Sequence, residues 1–257
     1  MKTPTLGFIG GGRITRIFLQ AFKHKSVDFE SIVVFEPNSE TSDLLFKQFP
    51  EIKIADSPAK PAVQDIVFLA VHPPVIMETL EKVSGVVSEN TTVISLAPKI
   101  SLDKMASVIP SKKLVRMIPN ATSYICKGYN PVTFSKSILP EEKVYLLNLL
   151  KVLGKTFEVD EIKLEGYAII SAMLPTYFWF QWKKMEDIAI QTGFTEKESK
   201  RIIRATLSRS LKLFYKSKLS SEEVIDLIPV KPIKEYEKEI ESIFQTNLLG
   251  LYDKIKP

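Results

Sequence analysis

Hydrophobic and polar positions follow two regimes along the chain. Up to about residue 160, short runs rich in β-branched and aromatic residues alternate with stretches of helical spacing, a pattern that yields parallel strands joined by crossover helices. The runs predict strands over Thr5 to Ile9, Ile32 to Phe35, Ile52 to Ile54, Ile66 to Val71, Thr92 to Leu96, Leu114 to Met117 and Val132 to Phe134. Several are apolar throughout, as strands covered on both faces should be. Between the first two, Ile14, Ile17, Phe18 and Ala21 recur at i, i+3, i+4 and i+7. That spacing gives a helix one apolar stripe and completes a βαβ unit.

After about Asp160 the strand signal fades and helical spacing takes over. Ile203, Leu207, Leu211 and Phe214 share one helical face, while Lys197, Arg201, Arg204 and Lys212 lie on another, read as a solvated face. A further helix is predicted over Lys234 to Lys256. The most apolar stretch, Tyr167 to Trp182, has 12 apolar residues in 16 but contains Pro175. It is shorter than the roughly 20 residues a membrane-spanning helix needs. It reads as a buried helix suited to a subunit interface. The expectation is an α/β domain over residues 1–160 followed by an all-α domain over residues 161–257.

Composition narrows the class. With 257 residues, 45% hydrophobic and 25% charged, the chain has the balance of an ordinary globule of one or two domains. A net charge of +5 is too small to argue for nucleic-acid binding without a clustered basic face. The single Cys126 cannot form an intrachain disulfide, which points to a reducing, cytoplasmic setting. Two histidines argue against a His-built metal site, so none is expected. The opening MKTPTLGFIGGG lacks a sustained apolar core, so neither an export signal nor a membrane anchor is expected.

Glycine is scarce, ten in all, yet Gly7, Gly10, Gly11 and Gly12 fall within six positions at the end of the first predicted strand. The segment Gly10-Gly11-Gly12-Arg13-Ile14-Thr15 fits the dinucleotide fingerprint G-x-G-x-x-G/A except at Thr15, with a strand before it and an amphipathic helix after it. Such a turn lets backbone N–H groups approach a pyrophosphate, which the helix N-terminus stabilises. Glu36 ends the second strand, near the distance at which an acidic residue reaches the adenosine ribose. This favours NAD over NADP, although Asn38 and Ser39 offer hydrogen bonds to a 2′-phosphate and Arg13 at the helix start adds positive charge near the phosphates, so NAD or NADP is the expected cofactor.

Three residues are candidates for the chemistry. His72 lies in the loop after the fourth strand, at the carboxyl edge of the sheet, and its ordinary pKa near 6.5 suits proton transfer. Asn120, after Pro119, offers an amide to a substrate or to a nicotinamide carboxamide. Tyr177 offers a phenol, although among Phe178, Trp179, Phe180 and Trp182 an aromatic serves packing more often. His24, beside Lys23 and Lys25, complements a helix dipole.

Taken in order, several segments resemble the pyrroline-5-carboxylate reductase family. GFIGGGRITRIF (7–18) is similar to its GFIGGGNMA start, DIVFLAVHPP (65–74) to D-x-V-x-LAVKPQ, VISLAPKIS (93–101) to ISxxAGIS, and LVRMIPNATSYICKGYNPVT (114–133) to RxMPNTPxxxGxG. The resemblance implies a Rossmann-type, doubly wound domain followed by a helical domain that dimerises by interleaving helices. It implies cofactor contacts at Gly10 to Ile14, at Glu36, Pro37 and Asn38, at Ala70, Val71, His72 and Pro73, and at Ala97 and Asn120. Asn120, Ser171 and Tyr177 would then face a small-molecule substrate.

The second half departs from that family where substrate should bind. Its SGSGPAY becomes Ser171 to Tyr177, SAMLPTY, and its SPGGTT becomes Pro229 to Lys234, PVKPIK. His72 replaces a lysine and Pro98-Lys99 an alanine-glycine pair. The expected activity is an NAD(P)-dependent oxidoreductase acting on a C=N or C=O carbon, inefficient on pyrroline-5-carboxylate itself. Two other readings stand beside it: a non-catalytic dinucleotide-binding regulatory protein, and a coenzyme F420-linked reductase.

Overall fold

The computed structural model describes residues 3–257. Its contacts divide the chain into two compact units, one running to Ala172 and including Tyr252–Pro257, the other Met173–Leu251. The first contains β1 (Thr5–Ile9), α1 (Arg13–His24), β2 (Ser31–Phe35), α2 (Ser39–Gln48), β3 (Lys53–Ala55), α3 (Ala59–Ala62), β4 (Ile66–Leu69), α4 (Ile76–Val83), β5 (Thr92–Ser95), α5 (Leu102–Ala106), β6 (Lys113–Met117), β7 (Gly128–Phe134), α6 (Pro140–Leu150), β8 (Gly154–Glu158) and α7 (Leu164–Tyr167).

The eight strands form one sheet in the order β3-β2-β1-β4-β5-β6-β7-β8. Neighbours run parallel except β6 and β7. The chain builds outward from β1 to β3, then crosses back to place β4 on the other side of β1. That reversal opens a crevice at the carboxyl ends of β1 and β4, where ligands bind in such sheets. Alternate residues feed two cores. Phe8, Phe68, Ile94 and Val115 pack with Phe18 and Phe22 of α1 and Leu146 and Leu150 of α6. Val67, Leu69, Val93 and Leu114 pack with Ile76 and Leu80 of α4 and Met105 of α5. Phe8 and Phe68 stack at 4.7 Å, and each fully buried ring contributes about 1.5–3 kcal/mol.

The sequence reading contains no counterpart to β8. Gly154–Glu158 has no apolar run; a backbone approach places it instead. Gly154 has a φ of +126°, and a Cβ there would fall 2.3 Å from the Gly128 nitrogen, its register partner at the start of β7. The division between units also falls after Ala172 rather than at residue 160. Leu164 and Ala168 bury themselves against Ile118, which ties this stretch to the sheet.

The second unit holds α8 (Leu174–Gln191), α9 (Glu196–Lys216), α10 (Ser221–Asp226) and most of α11 (Glu237–Ile255). Thr195 and Ser220 open α9 and α10 through reciprocal bonds with Glu198 and Glu223. None of these four helices buries an apolar side chain. The expected burial of the 167–182 segment therefore holds only for its first turn, at Ala168 and Ile169. Trp179 and Phe180 lie open, because nothing within one chain covers that face.

Candidate functional site

The turn from β1 into α1 is built on bare backbone. Gly10 has a φ of +105°, and a Cβ there would lie 2.6 Å from the Ala70 carbonyl oxygen, so a side chain does not fit. Its N–H donates to the Phe35 carbonyl at 2.8 Å. Its own carbonyl accepts the Thr15 hydroxyl at 2.6 Å. Thr15 stands where the fingerprint carries glycine or alanine, and this buried hydroxyl closes the turn from within. At Gly12, by contrast, a Cβ would meet nothing within 4 Å. Gly12 is the N-cap of α1, with no side-chain cap and no acidic residue in the first turn. The free N–H groups and the positive end of the helix dipole thus open onto a place where an anion can sit.

That place is a cavity of about 560 Å³. Gly11, Gly12, Arg13, Ile14 and Arg16 line it from the turn and α1, and Thr41, Leu44, Leu45 and Gln48 from α2. Ala70, Val71, His72 and Pro73 line it after β4, Leu96, Ala97 and Pro98 after β5, and Pro119 after β6. The loops thus come together at the carboxyl edge of the sheet. Arg16 and the α2 residues were absent from the sequence reading, though their signal was legible: Arg16 follows Arg13 by one helical turn, and Thr41, Leu44, Leu45 and Gln48 recur at i, i+3, i+4 and i+7.

The remaining expected contacts are placed differently. Gly10 does not line the cavity; its close approach to Ala70 sets the turn that does. The Glu36 carboxylate accepts the Gly11 N–H at 2.8 Å and the Asn38 N–H at 3.0 Å, which fixes its charge at the end of β2. Asn38 is exposed and accepts the Thr41 N–H at 2.8 Å, capping α2, and Pro37 is exposed beside it. Asn120, expected to donate to a ligand, is only 5% exposed and fully engaged. Its Nδ2 donates to the Ser171 carbonyl at 3.1 Å and hydroxyl at 3.3 Å, and its Oδ1 accepts the N–H and hydroxyl of Thr122. The Ser171 hydroxyl in turn donates to the Tyr129 carbonyl at 3.3 Å, so Asn120 and Ser171 form a clamp between the β6–β7 connection and the wider π turn at Ala168–Ala172.

His72 is exposed on the cavity wall, at the head of the tight turn Pro73–Val75. Tyr177 belongs to the second unit, its ring 6.2 Å from that of Phe244. Burial holds its phenol above the ordinary value of 10.0, so it stays protonated at neutral pH. Among the described residues no group of three or more His, Cys, Asp or Glu side chains is placed to hold a metal. Nor, among them, is any helix long and apolar enough to cross a membrane.

Residues 5–99 match the family described as NADP oxidoreductase, coenzyme F420-dependent. The pyrroline-5-carboxylate reductase of Haemophilus influenzae is 24% identical over 216 residues, covering 83% of this chain and 79% of that protein. The Escherichia coli enzyme of the same name is 25% identical over 211 residues, covering 81% and 78%. The crystal structure of Plasmodium falciparum pyrroline carboxylate reductase with NADP bound superposes with a TM-score of 0.78 at 18% identity, covering 99% of this chain and 96% of that one. The chain is thus similar to pyrroline-5-carboxylate reductases in sequence over about four fifths of its length, and to one of their structures in fold over nearly all of it.

Proposed function

We propose that this chain is an NAD(P)-dependent oxidoreductase that works as a homodimer and moves hydride to or from a C=N or C=O carbon of a small molecule. The observation that carries this reading is the uncapped N-terminus of α1, opening at Gly12 into a cavity that two arginines border. The first-turn N–H groups, with Arg13 and Arg16, would hold the pyrophosphate. Glu36, pinned by Gly11 and Asn38, sets negative charge where the adenosine ribose would lie and so favours NAD over the 2′-phosphorylated form. The loops carrying His72, Ala97 and Pro119 would wall the nicotinamide end and exclude water. The cofactor, when bound, supplies the hydride chemistry.

Pyrroline-5-carboxylate is a poor match to the second half. A site that recognises a carboxylate through hydroxyl and backbone donors discriminates strongly. SAMLPTY and PVKPIK have lost most of the small and hydroxyl residues of SGSGPAY and SPGGTT. Dimerisation is supported by the exposed apolar surface of the second unit.

Calorimetric titration of NAD, NADP and coenzyme F420, followed by turnover assays on imines and ketones, tests the reading. A nicotinamide dinucleotide should bind in the micromolar range and pyrroline-5-carboxylate should turn over weakly or not at all. Binding of F420 alone, or dinucleotide binding without turnover of any substrate, would move the assignment to an F420-linked reductase or a regulatory protein respectively.

A further inference from the structure

Arg116 is a charged residue inside the apolar strand β6, and none of its side chain reaches solvent. Its guanidinium pairs with Glu161 at 2.9 Å and with Glu165 at 2.5 Å. Glu165 is itself only 2% exposed. Burying such charges is costly unless hydrogen bonds satisfy them. Both glutamates reach further. Glu165 Oε1 accepts the Lys99 N–H at 3.2 Å, and Glu161 Oε1 accepts the Leu102 N–H at 2.8 Å.

The Lys99 amide belongs to the segment that leads from β5 into α5, and the Leu102 amide opens that helix. Lys99 has a φ of +80°, in the left-handed region that costs a non-glycine residue about 1–3 kcal/mol unless its surroundings hold it. The residues just before it, Leu96, Ala97 and Pro98, line the cavity. This loop follows β5, on the opposite side of β1 from β2. With the adenosine half over β2, it faces the nicotinamide half.

Taking the cavity as a dinucleotide site, we propose that Glu165 is a positioning residue. Balanced by Arg116, it anchors Lys99 in its left-handed conformation and thereby sets Ala97 and Pro98 against the nicotinamide end of the cofactor. A glycine at position 99 would adopt that conformation without an anchor.

The test compares two ligands on the intact protein: NADH, or NADPH if it binds more tightly, and ADP-ribose, which lacks the nicotinamide. The paired change Arg116→Met with Glu165→Leu removes the anchor and both fully buried charges together, while Glu161, one third exposed, keeps its bond from the Leu102 N–H. Dinucleotide affinity should fall about tenfold while ADP-ribose affinity stays within about twofold, and adding Lys99→Gly should restore most of the loss. Equal weakening of both ligands, no weakening of either, or failure of Lys99→Gly to rescue overturns the proposal.

If the paired variant does not fold, Glu165→Gln is measured with the same two ligands. It should show a smaller loss confined to the dinucleotide, and an equal loss or none overturns the proposal. A wild-type protein that binds neither ligand sinks the dinucleotide reading instead. The anchor is then judged by amide hydrogen exchange: slow exchange at Lys99 that becomes fast in Glu165→Leu, which has no acceptor, supports it, and fast exchange in the wild type or slow exchange in both overturns it.

Discussion

The two units of this chain handle hydrophobic residues in opposite ways. The first distributes them over both faces of one sheet, so that Phe8, Phe68 and Ile94 serve one core and Val67, Leu69 and Val93 the other. The second has equally regular helices, two of them closed by reciprocal caps, yet Phe180 remains 67% and Tyr215 72% exposed. Regular helices and a buried core are separate achievements: caps and spacing form a helix, but only a covering surface gives its apolar face somewhere to go. The first unit thus buries its apolar faces within one chain, whereas the second leaves them open, as a unit that pairs with a partner in the proposed dimer would. A second copy is the occupant the proposed dimer supplies.

Phe180→Glu separates the two units most sharply. At a surface that stays in water the change would cost little. At a subunit interface, burying a charge in place of an aromatic should cost at least about 2 kcal/mol and shift the mass measured by light scattering from dimer to monomer. An unchanged mass would place Phe180 outside any interface.

A smaller effect is expected on the surface of the first unit. Glu142 pairs with Lys113 at 2.7 Å and accepts the Leu139 N–H at 3.0 Å. The hydrogen bond from Lys113, followed by that from the backbone, holds its carboxyl below the ordinary value of 4.5. A carboxylate with a lowered folded-state pKa contributes stability that is fully present above 4.5 and lost as pH falls through the lower value. Glu142→Gln should therefore cost no more than about 1 kcal/mol at neutral pH and flatten the acid side of the stability curve. Parallel curves for both proteins would show that the pair contributes nothing.

The βαβ start was legible because each of its features repeats a local rule: apolar strand, bare turn, striped helix. Thr15 broke the fingerprint in sequence, and only the structure shows its hydroxyl doing the work of closing the turn. Glu36 was placed at the right strand end, but its hold on the Gly11 amide depends on a crossing of loops that spacing does not encode. Asn120 and Ser171 are 51 residues apart, and nothing local announces that each satisfies the other. Arg116 stands among Leu114, Val115 and Met117, but the sequence reading gave it no role, and its partners lie beyond β8, outside the reach of periodicity. The second unit shows the converse limit, since its helices followed from spacing while their burial depends on what lies outside the chain.

In the proposed function the N-terminus of α1 receives the cofactor's pyrophosphate at Gly12. The most direct measurement is a calorimetric titration of the dinucleotide into wild-type protein and into Gly12→Val. Because a Cβ there meets no atom within 4 Å and the backbone already lies at a φ of −73°, the variant should melt near the wild-type temperature and yet show no measurable binding. Wild-type affinity retained in Gly12→Val would contradict the account.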